Sequence, residues 1–369
     1  MKILFFAPAN VNHTVRWVNA MVNKGHAVYL ISLRDHKEGV NKIDKKVKIY
    51  YLPYSGLKGY YLNFLKAKSL VKKISPDIIN THYASGYGTL SRLVNYQPTL
   101  LSVWGSDVYE FPYESKFKEK ILKKNLMQPL MIASTSRAMA NQTKKFMNKE
   151  ANIYVTPFGV DTNLFKPIDV DKNDDIINIG LVKTLKTKYG IKYLIEATRI
   201  LIDKLNTNGY KEIANRIRTN IYGEGPKLND LQELTKSLNL SDIVNFKGYV
   251  ENTKIPLVLN HMDIFCAPSL LESFGVAAVE AMACEIPVVA SDVDGFKEVI
   301  EDSKTGYIFK SKNSKEIAEK LYELVLNKSL RDKFGKNGRE RVLNLYDWNK
   351  NVALMEDVYK NTLKQIQKL

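Results

Sequence analysis

Two rounds of strand–helix alternation, separated by one polar stretch, constrain this chain more than any other feature. In the first round, β-rich runs at Lys2–Phe6, Ala27–Leu33, Val47–Pro53, Asp77–His82, Thr99–Trp104, Leu130–Ser134 and Ile153–Thr156 predict strands. Helical patterns at Thr14–Lys24, Leu62–Ile74, Ser115–Met127 and Ala138–Asn148 fall between several of them. The polar run Pro167–Asp175 reads as a linker. Alternation then restarts, with strands at Ile176–Val182, Thr219–Tyr222, Ile243–Phe246, Ile264–Pro268, Pro287–Ser291 and Gly306–Phe309. Helices are predicted at Ile191–Leu205 and Lys227–Leu238, and from Lys315 onward the chain is nearly all helical. Such alternation builds parallel βα units. The expected fold is therefore α/β, with two Rossmann-like, doubly wound parallel-sheet domains facing each other across a cleft. Residues 1–165 form the first domain, 166–345 the second and 346–369 a C-terminal helix. Sheets of this kind bind ligands at the carboxyl ends of their strands, which makes the cleft the expected site.

The 369 residues suffice for two such cores. The opening MKILFFAPAN has too short an apolar run for a signal sequence or a membrane span, and no run of 18 apolar residues occurs anywhere. Cys266 and Cys284 sit in apolar stretches without metal-ligand spacing, which suggests buried thiols and a cytoplasmic location. The five histidines form no ligand cluster, so neither a metal nor another cofactor is expected.

The formal charge of +16 is unevenly placed. Residues 1–165 carry 24 Lys and Arg against 10 Asp and Glu, whereas the remainder carries 31 against 29. The excess gathers along Lys66, Lys68, Lys72 and Lys73, and again along Lys116, Lys118, Lys120, Lys123 and Lys124. Apolar residues interleave both runs: Tyr60, Tyr61, Phe64 and Leu65 in one, Phe117, Ile121, Leu122 and Leu126 in the other. A basic amphipathic helix suits an anionic membrane surface, and would place the protein peripherally on the inner face of the cell membrane. A plain solvated lysine face is the open alternative. No nucleic-acid recognition motif appears, so nucleic acid is not expected as a partner.

The chemistry is concentrated in PSLLESFGVAAVEAMACEIPVV at 268–289. Glu272 and Glu280 stand eight positions apart, with Ser273, Phe274, Gly275 and Val276 following the first carboxylate. A helix opening near Gly275 carries Glu280 on its second turn and leaves Glu272 in the loop before it. The helix N-terminus offers unpaired N–H groups and partial positive charge to a phosphate. A nucleotide-sugar fits this arrangement, with diphosphate at the helix tip, one carboxylate toward the sugar and the other toward the ribose. Taken alone, the glutamate pair also suits an ordinary capped and solvated helix.

The surrounding residues resemble the donor domain of glycosyltransferase family 4, retaining sugar transferases of the GT-B fold (glycosyl transferases group 1). The resemblance rests on Phe246 and Gly248, MDIFCAPSLLESFG at 262–275, EAMACEIPVVAS at 280–291 and TGYIF at 305–309. GLVKTLKTKYGIKYLIEA at 180–197 adds Lys183 and Lys188, five positions apart. Weaker echoes are NKGHAVYLIS at 23–32, PDIINTHY at 76–83, WGSD at 104–107 and VTPFGVDTNLFKP at 155–167. The resemblance implies that Lys183 and Lys188 neutralise the donor diphosphate, stabilising a leaving group whose charge grows as the bond breaks. It implies that Ser273, Phe274, Gly275 and Val276 contact phosphate or sugar, Glu272 the transferred sugar and Glu280 the ribose. The donor would be a nucleotide-diphosphate sugar, most often a UDP-sugar in this family. The acceptor would belong to the first domain, whose basic charge suits a lipid-linked or cell-envelope glycan, with a small soluble acceptor as the open alternative; the last helix would cross back onto that domain. No enzyme nucleophile is required, since the departing phosphate takes the acceptor's proton in a front-face displacement.

The chain departs from the family pattern at several places. Trp104-Gly105 stands where His-Gly is frequent, Lys183 replaces an arginine, Glu285 a glycine, and Asp294-Gly295 a Gly-Gly pair. The loop after the first strand is Asn10-Val11-Asn12-His13-Thr14-Val15-Arg16 rather than glycine-rich. His13, Arg16, Trp104 and Asp107 are the acceptor-side candidates. Asp292-Val293-Asp294 spells a metal–nucleotide motif of a different fold, and Gly223-Glu224-Gly225 a lone G-x-G; the first reads as a loop and the second as a turn. Two other function classes stay open: a GT-B sugar-nucleotide epimerase, which would turn over without acceptor, and a non-catalytic polyanion- or membrane-binding protein, which would bind no nucleotide.

Overall fold

A computed structural model describes residues 1–39, 42–147 and 153–366. The first group of strands is β1 (Lys2–Phe6), β2 (Ala27–Leu33), β3 (Lys48–Leu52), β4 (Ile78–His82), β5 (Thr99–Val103), β6 (Met131–Ser134) and β7 (Ile153–Val155). Among them run α1 (Asn12–Asn23), α2 (Gly56–Leu62), α3 (Phe64–Ile74), α4 (Gly86–Val94), α5 (Ser106–Tyr109), α6 (Lys116–Met127) and α7 (Arg137–Lys144). The second group is β8 (Ile177–Val182), β9 (Ile217–Tyr222), β10 (Val244–Gly248), β11 (Ile264–Ala267), β12 (Val288–Ser291) and β13 (Gly306–Phe309). Its helices are α8 (Ile191–Thr207), α9 (Lys211–Arg216), α10 (Leu228–Ser237), α11 (Ile255–Asn260), α12 (Val276–Ala283), α13 (Asp294–Val299), α14 (Ser314–Leu326) and α15 (Lys328–Leu345). A last helix, α16 (Trp348–Ile366), follows.

Strand order in the first sheet is β3-β2-β1-β4-β5-β6-β7, and in the second β10-β9-β8-β11-β12-β13. Every pairing is parallel, so both sheets are of the doubly wound α/β type. In each, the order reverses beside the first strand: between β1 and β4, and between β8 and β11. Helices leave opposite faces at such a point and open a crevice at the strands' carboxyl ends. The loops after β1, β4, β8 and β11 are therefore where the fold places chemistry.

The chain divides into two units, Met1–Phe158 with Asn349–Leu369, and Gly159–Trp348. The division falls earlier than the polar run at Pro167–Asp175, because Val160 already belongs with the second unit, donating its N–H to the Tyr346 carbonyl at 2.7 Å. The first unit's core is completed by α16, which buries Val352, Met355, Val358 and Tyr359. Asn80 of β4 donates to the Tyr359 hydroxyl at 2.7 Å, and His26 and Glu356 meet at 2.9 Å.

Several helical features differ from the expectation: α2, α5 and α9 are additional short helices, and α7 ends at Lys144. The single helix expected over Leu62–Ile74 is broken at Asn63, and α4 was not anticipated. Asn63 is fully buried, donating to the Tyr54 carbonyl at 2.8 Å and accepting the Tyr54 N–H at 3.2 Å, a tertiary clamp that ends α2. The last residue of the helix expected at Ala138–Asn148 and the final three of the chain lie outside the described residues.

Candidate functional site

Lys183 directly follows β8, and Glu272 follows β11, its neighbour at the order reversal. Their side chains meet, Lys183 Nζ donating to Glu272 Oε2 at 2.6 Å, with about a fifth and an eighth of their surfaces exposed. Residues 89 apart in sequence are thus paired by topology. Lys188 lies in a tight turn at Thr187–Tyr189, whose carbonyl accepts the Leu270 N–H at 2.8 Å and so ties the lysine loop to the glutamate loop. The Tyr189 ring lies under both ammonium groups, 4.4 Å from Lys183 Nζ and 5.5 Å from Lys188 Nζ. Its electron-rich face lessens the repulsion of holding two cations close. Sequence reasoning missed Tyr189, since no motif marks an aromatic whose role is to sit beneath two lysines.

The lysine loop is held from below by the Gly223-Glu224-Gly225 turn. Lys183 N–H donates to the Tyr222 carbonyl and Leu185 N–H to the Glu224 carbonyl, both at 2.9 Å. Gly223 has φ +130°, and a Cβ there would overlap the Lys183 carbonyl. The turn therefore acts as a backbone cradle for Lys183.

The glutamate loop runs into α12, whose N-cap is Gly275 at φ +94°, a residue with no side chain to cap the helix, and whose first turn contains no acid. A helix N-terminus without a capping side chain or acid suits an anion. Val276 opens the helix and Glu280 is half-buried one turn further on, as the spacing predicted. Ser273 is half-buried, whereas the Phe274 side chain packs inward, edge-on to Tyr346 at 5.4 Å between centroids. Glu280 lies close enough to Cys284 to help burial push that thiol up to about 12. Asp292 accepts the Ser311 N–H at 2.8 Å, which gives the Asp292-Val293-Asp294 run a structural use. Among the described residues no group of three His, Cys, Asp or Glu gathers as metal ligands.

In the first unit an aromatic cluster occupies the carboxyl end of the sheet. The His13 ring lies flat on Phe158, with centroids 3.9 Å apart and planes 5° from parallel. Trp104 touches both edge-on and leans on His82 at 4.0 Å, with Tyr83 beside it at 5.1 Å. Burial, and then the Arg16 charge one turn along α1, lowers His13 to about 3. Burial likewise holds His82 well below the usual histidine range, and His82 Nδ1 has no hydrogen-bond partner among the described residues. Both rings are therefore neutral. Trp104 is only 7% exposed, so most of its face is covered by protein.

Asp107, another of the acceptor-side candidates, is turned inward. It is 1% exposed, and its carboxylate accepts N–H groups from Ala84 (2.8 Å), Gly105 (2.8 Å) and Trp104 (3.1 Å). Burial raises its pKa while those bonds oppose the rise. With both oxygens engaged, Asp107 braces the turn at the start of α5.

The profile of glycosyl transferases group 1 matches residues 163–341, and that of glycosyl transferase 4-like proteins matches residues 2–136. The chain is 23% identical over 316 residues to N-acetyl-alpha-D-glucosaminyl L-malate synthase of Bacillus anthracis, covering 81% of this chain and 78% of that protein. It is 26% identical to the capsular polysaccharide biosynthesis glycosyltransferase CapM of Staphylococcus aureus, covering 82% and 81%. The fold superposes on that of Anabaena Alr3699/HepE, solved in complex with UDP and glucose, with a TM-score of 0.77 at 17% identity, covering 98% and 100% of the two chains. Both halves of the sequence, both sheets and the paired lysine and glutamate loops lead to one assignment: the chain belongs to the group 1 glycosyl transferases of family 4, with the GT-B fold.

Proposed function

We propose that the protein is a retaining, metal-independent transferase that moves a sugar from a UDP-sugar to a lipid-linked or cell-envelope glycan. The observation that carries this reading is the Lys183–Glu272 pair at the β8/β11 reversal, with Lys188 sharing the Tyr189 face. A diphosphate reaching Lys183 takes over part of the charge now shared with Glu272, whose oxygens then serve the sugar hydroxyls. The two lysines and the α12 N–H groups meet the negative charge that grows on the leaving diphosphate, a role a divalent metal fills elsewhere. Glu280 accepts from the ribose. The departing phosphate takes the acceptor proton, so no protein nucleophile is called for. UDP is favoured because Alr3699/HepE carries it on the same fold, and a cell-envelope acceptor because CapM is a capsular polysaccharide enzyme.

A thermal-shift titration with UDP, GDP, ADP and CDP on the wild type and on Glu280→Ala tests the donor site. Ligand at about a hundred times its dissociation constant should add about 2.7 kcal/mol to stability. One nucleotide is expected to shift the wild type, and the variant to lose most of that shift. If no nucleotide shifts the wild type, with or without Mg2+, the transferase reading fails.

A further inference from the structure

The basic first unit carries two lysine-rich helices, and the structure separates them. On α6 two of the five lysines are paired with acids: Lys118 with Glu114, just before the helix, and Lys123 with Glu119 at 2.6 Å. Its charge is partly cancelled on the helix itself. The segment from Lys45 to Pro76 is different, with eight lysines and no acidic residue. All eight are exposed, and among the described residues none of them enters an ion pair.

The same segment exposes large apolar or aromatic side chains, three of them leucines, whereas around α6 the exposed ones are Tyr113, Phe117 and Met127. Leu57 is 76% exposed, Leu65 67%, Leu62 56%, Tyr54 53% and Tyr61 42%. They lie around the α2–α3 corner, which is fixed rather than loose. Asn63 clamps it to Tyr54 through two hydrogen bonds. Tyr60 turns inward and packs edge-on to Tyr87 at 5.3 Å, over Gly86 of α4, where any Cβ would overlap its ring. With Tyr60 and Asn63 anchored inside, the remaining side chains of the corner are held outside.

On α3 the buried stripe is Ala67, Val71 and Ile74. At about 100° per residue, Leu65 lies opposite that stripe, with Lys68 and Lys72 to one side and Lys66 and Lys73 to the other. Apolar tips flanked by cations, with tyrosines whose rings are apolar and whose hydroxyls are polar, match the layered chemistry of a bilayer interface.

We propose that the α2–α3 corner docks on an anionic phospholipid bilayer, Leu57, Leu62 and Leu65 entering the acyl boundary while the flanking lysines bind headgroup phosphates. This deepens the lipid-side part of the proposed function and selects one surface for it, α2–α3 rather than α6. A soluble polyanion would match the lysines but would have no use for the leucines.

Vesicle flotation with purified full-length protein, without donor or acceptor, tests the docking. Phosphatidylcholine vesicles containing phosphatidylglycerol are expected to carry the wild type, and pure phosphatidylcholine vesicles to carry far less. Changing Leu57, Leu62 and Leu65 together to Ser should lower partitioning about tenfold for each side chain that inserts fully. Lys66→Gln and Lys72→Gln should each lower it about fivefold at low salt. Neutralising the five α6 lysines should leave most of it. Because the leucines are exposed, their variant should keep the wild-type circular dichroism and nucleotide-induced thermal shift, which also separates this outcome from failure of the donor site. Vesicle binding unchanged by the leucine variant, or displaced by dextran sulfate with no dependence on the leucines, would overturn the proposal in favour of a polyanion surface. Loss confined to the α6 variant would overturn it as well.

Discussion

At the scale of single residues, Lys183 and Glu272 show what the sequence could and could not reveal. The eight-residue spacing of the two glutamates and the five-residue spacing of the two lysines were visible. Their meeting depends on β8 and β11 being neighbours, a property of strand order that no local pattern encodes. Lys183→Met should weaken the nucleotide-induced shift by a loss of roughly 1.5–3 kcal/mol in binding, the range for a hydrogen bond to a charged group. Lys183→Arg should restore it, since the guanidinium keeps the charge and adds a bidentate fork. Equal loss in both variants would show that shape rather than charge matters there. The neutral histidines make a separate prediction. His13 titrates at about 3 in the folded protein against 6.5 when unfolded, so the unfolded state takes up its proton first as pH falls. Its contribution is therefore fully present above the unfolded value and lost below it, at up to about 1.4 kcal/mol per pH unit. Between pH 6.5 and pH 5, above the range of most carboxylates, urea unfolding of His13→Phe should accordingly depend less on pH than that of the wild type. A parallel dependence would mean that His13 is solvated.

At the scale of elements, the regular units were legible and the tertiary clamps were not. β1, β2 and β13 were predicted to the residue, β2 and β13 because polar residues bound their apolar runs and β1 because Pro8 closes its own. Helix α4, GYGTLSRLV, was missed because glycine, threonine and serine have low helix propensity, and packing supplies what propensity lacks. The break between α2 and α3 was hidden because Asn63 is compatible with either a helix or a turn, and only its bonds to Tyr54 decide. The inward turn of the Asp107 carboxylate to three N–H groups was not legible in WGSD, because the bond from Ala84 depends on a tertiary contact. The Gly223 cradle makes the test at this scale. Gly223→Ala needs both an unfavourable positive φ and displacement of the Lys183 carbonyl, and should destabilise by about 1–3 kcal/mol. Nucleotide affinity should fall further than that of a control with equal destabilisation elsewhere in the second unit, as judged by thermal shift on both.

At the scale of the whole molecule, the first unit is built from the two ends of the chain and the second from an uninterrupted segment, Gly159–Trp348. The tie is specific as well as apolar. Tyr359→Phe leaves the Asn80 amide without its buried acceptor and should cost about 1–2 kcal/mol in urea unfolding, with little effect on nucleotide binding. The consequence reaches the ribosome. The first unit emerges with a gap in its core where Met355 and Tyr359 belong, and 190 residues separate Phe158 from Asn349. At about 5–20 residues per second, that interval lasts roughly 10–40 s. Through it the nascent first unit exposes the groove reserved for α16, whereas the second unit can close its sheet as soon as its own segment is out. A chain truncated before the last helix therefore carries its incompleteness in the first unit, where chaperones and proteases can recognise it.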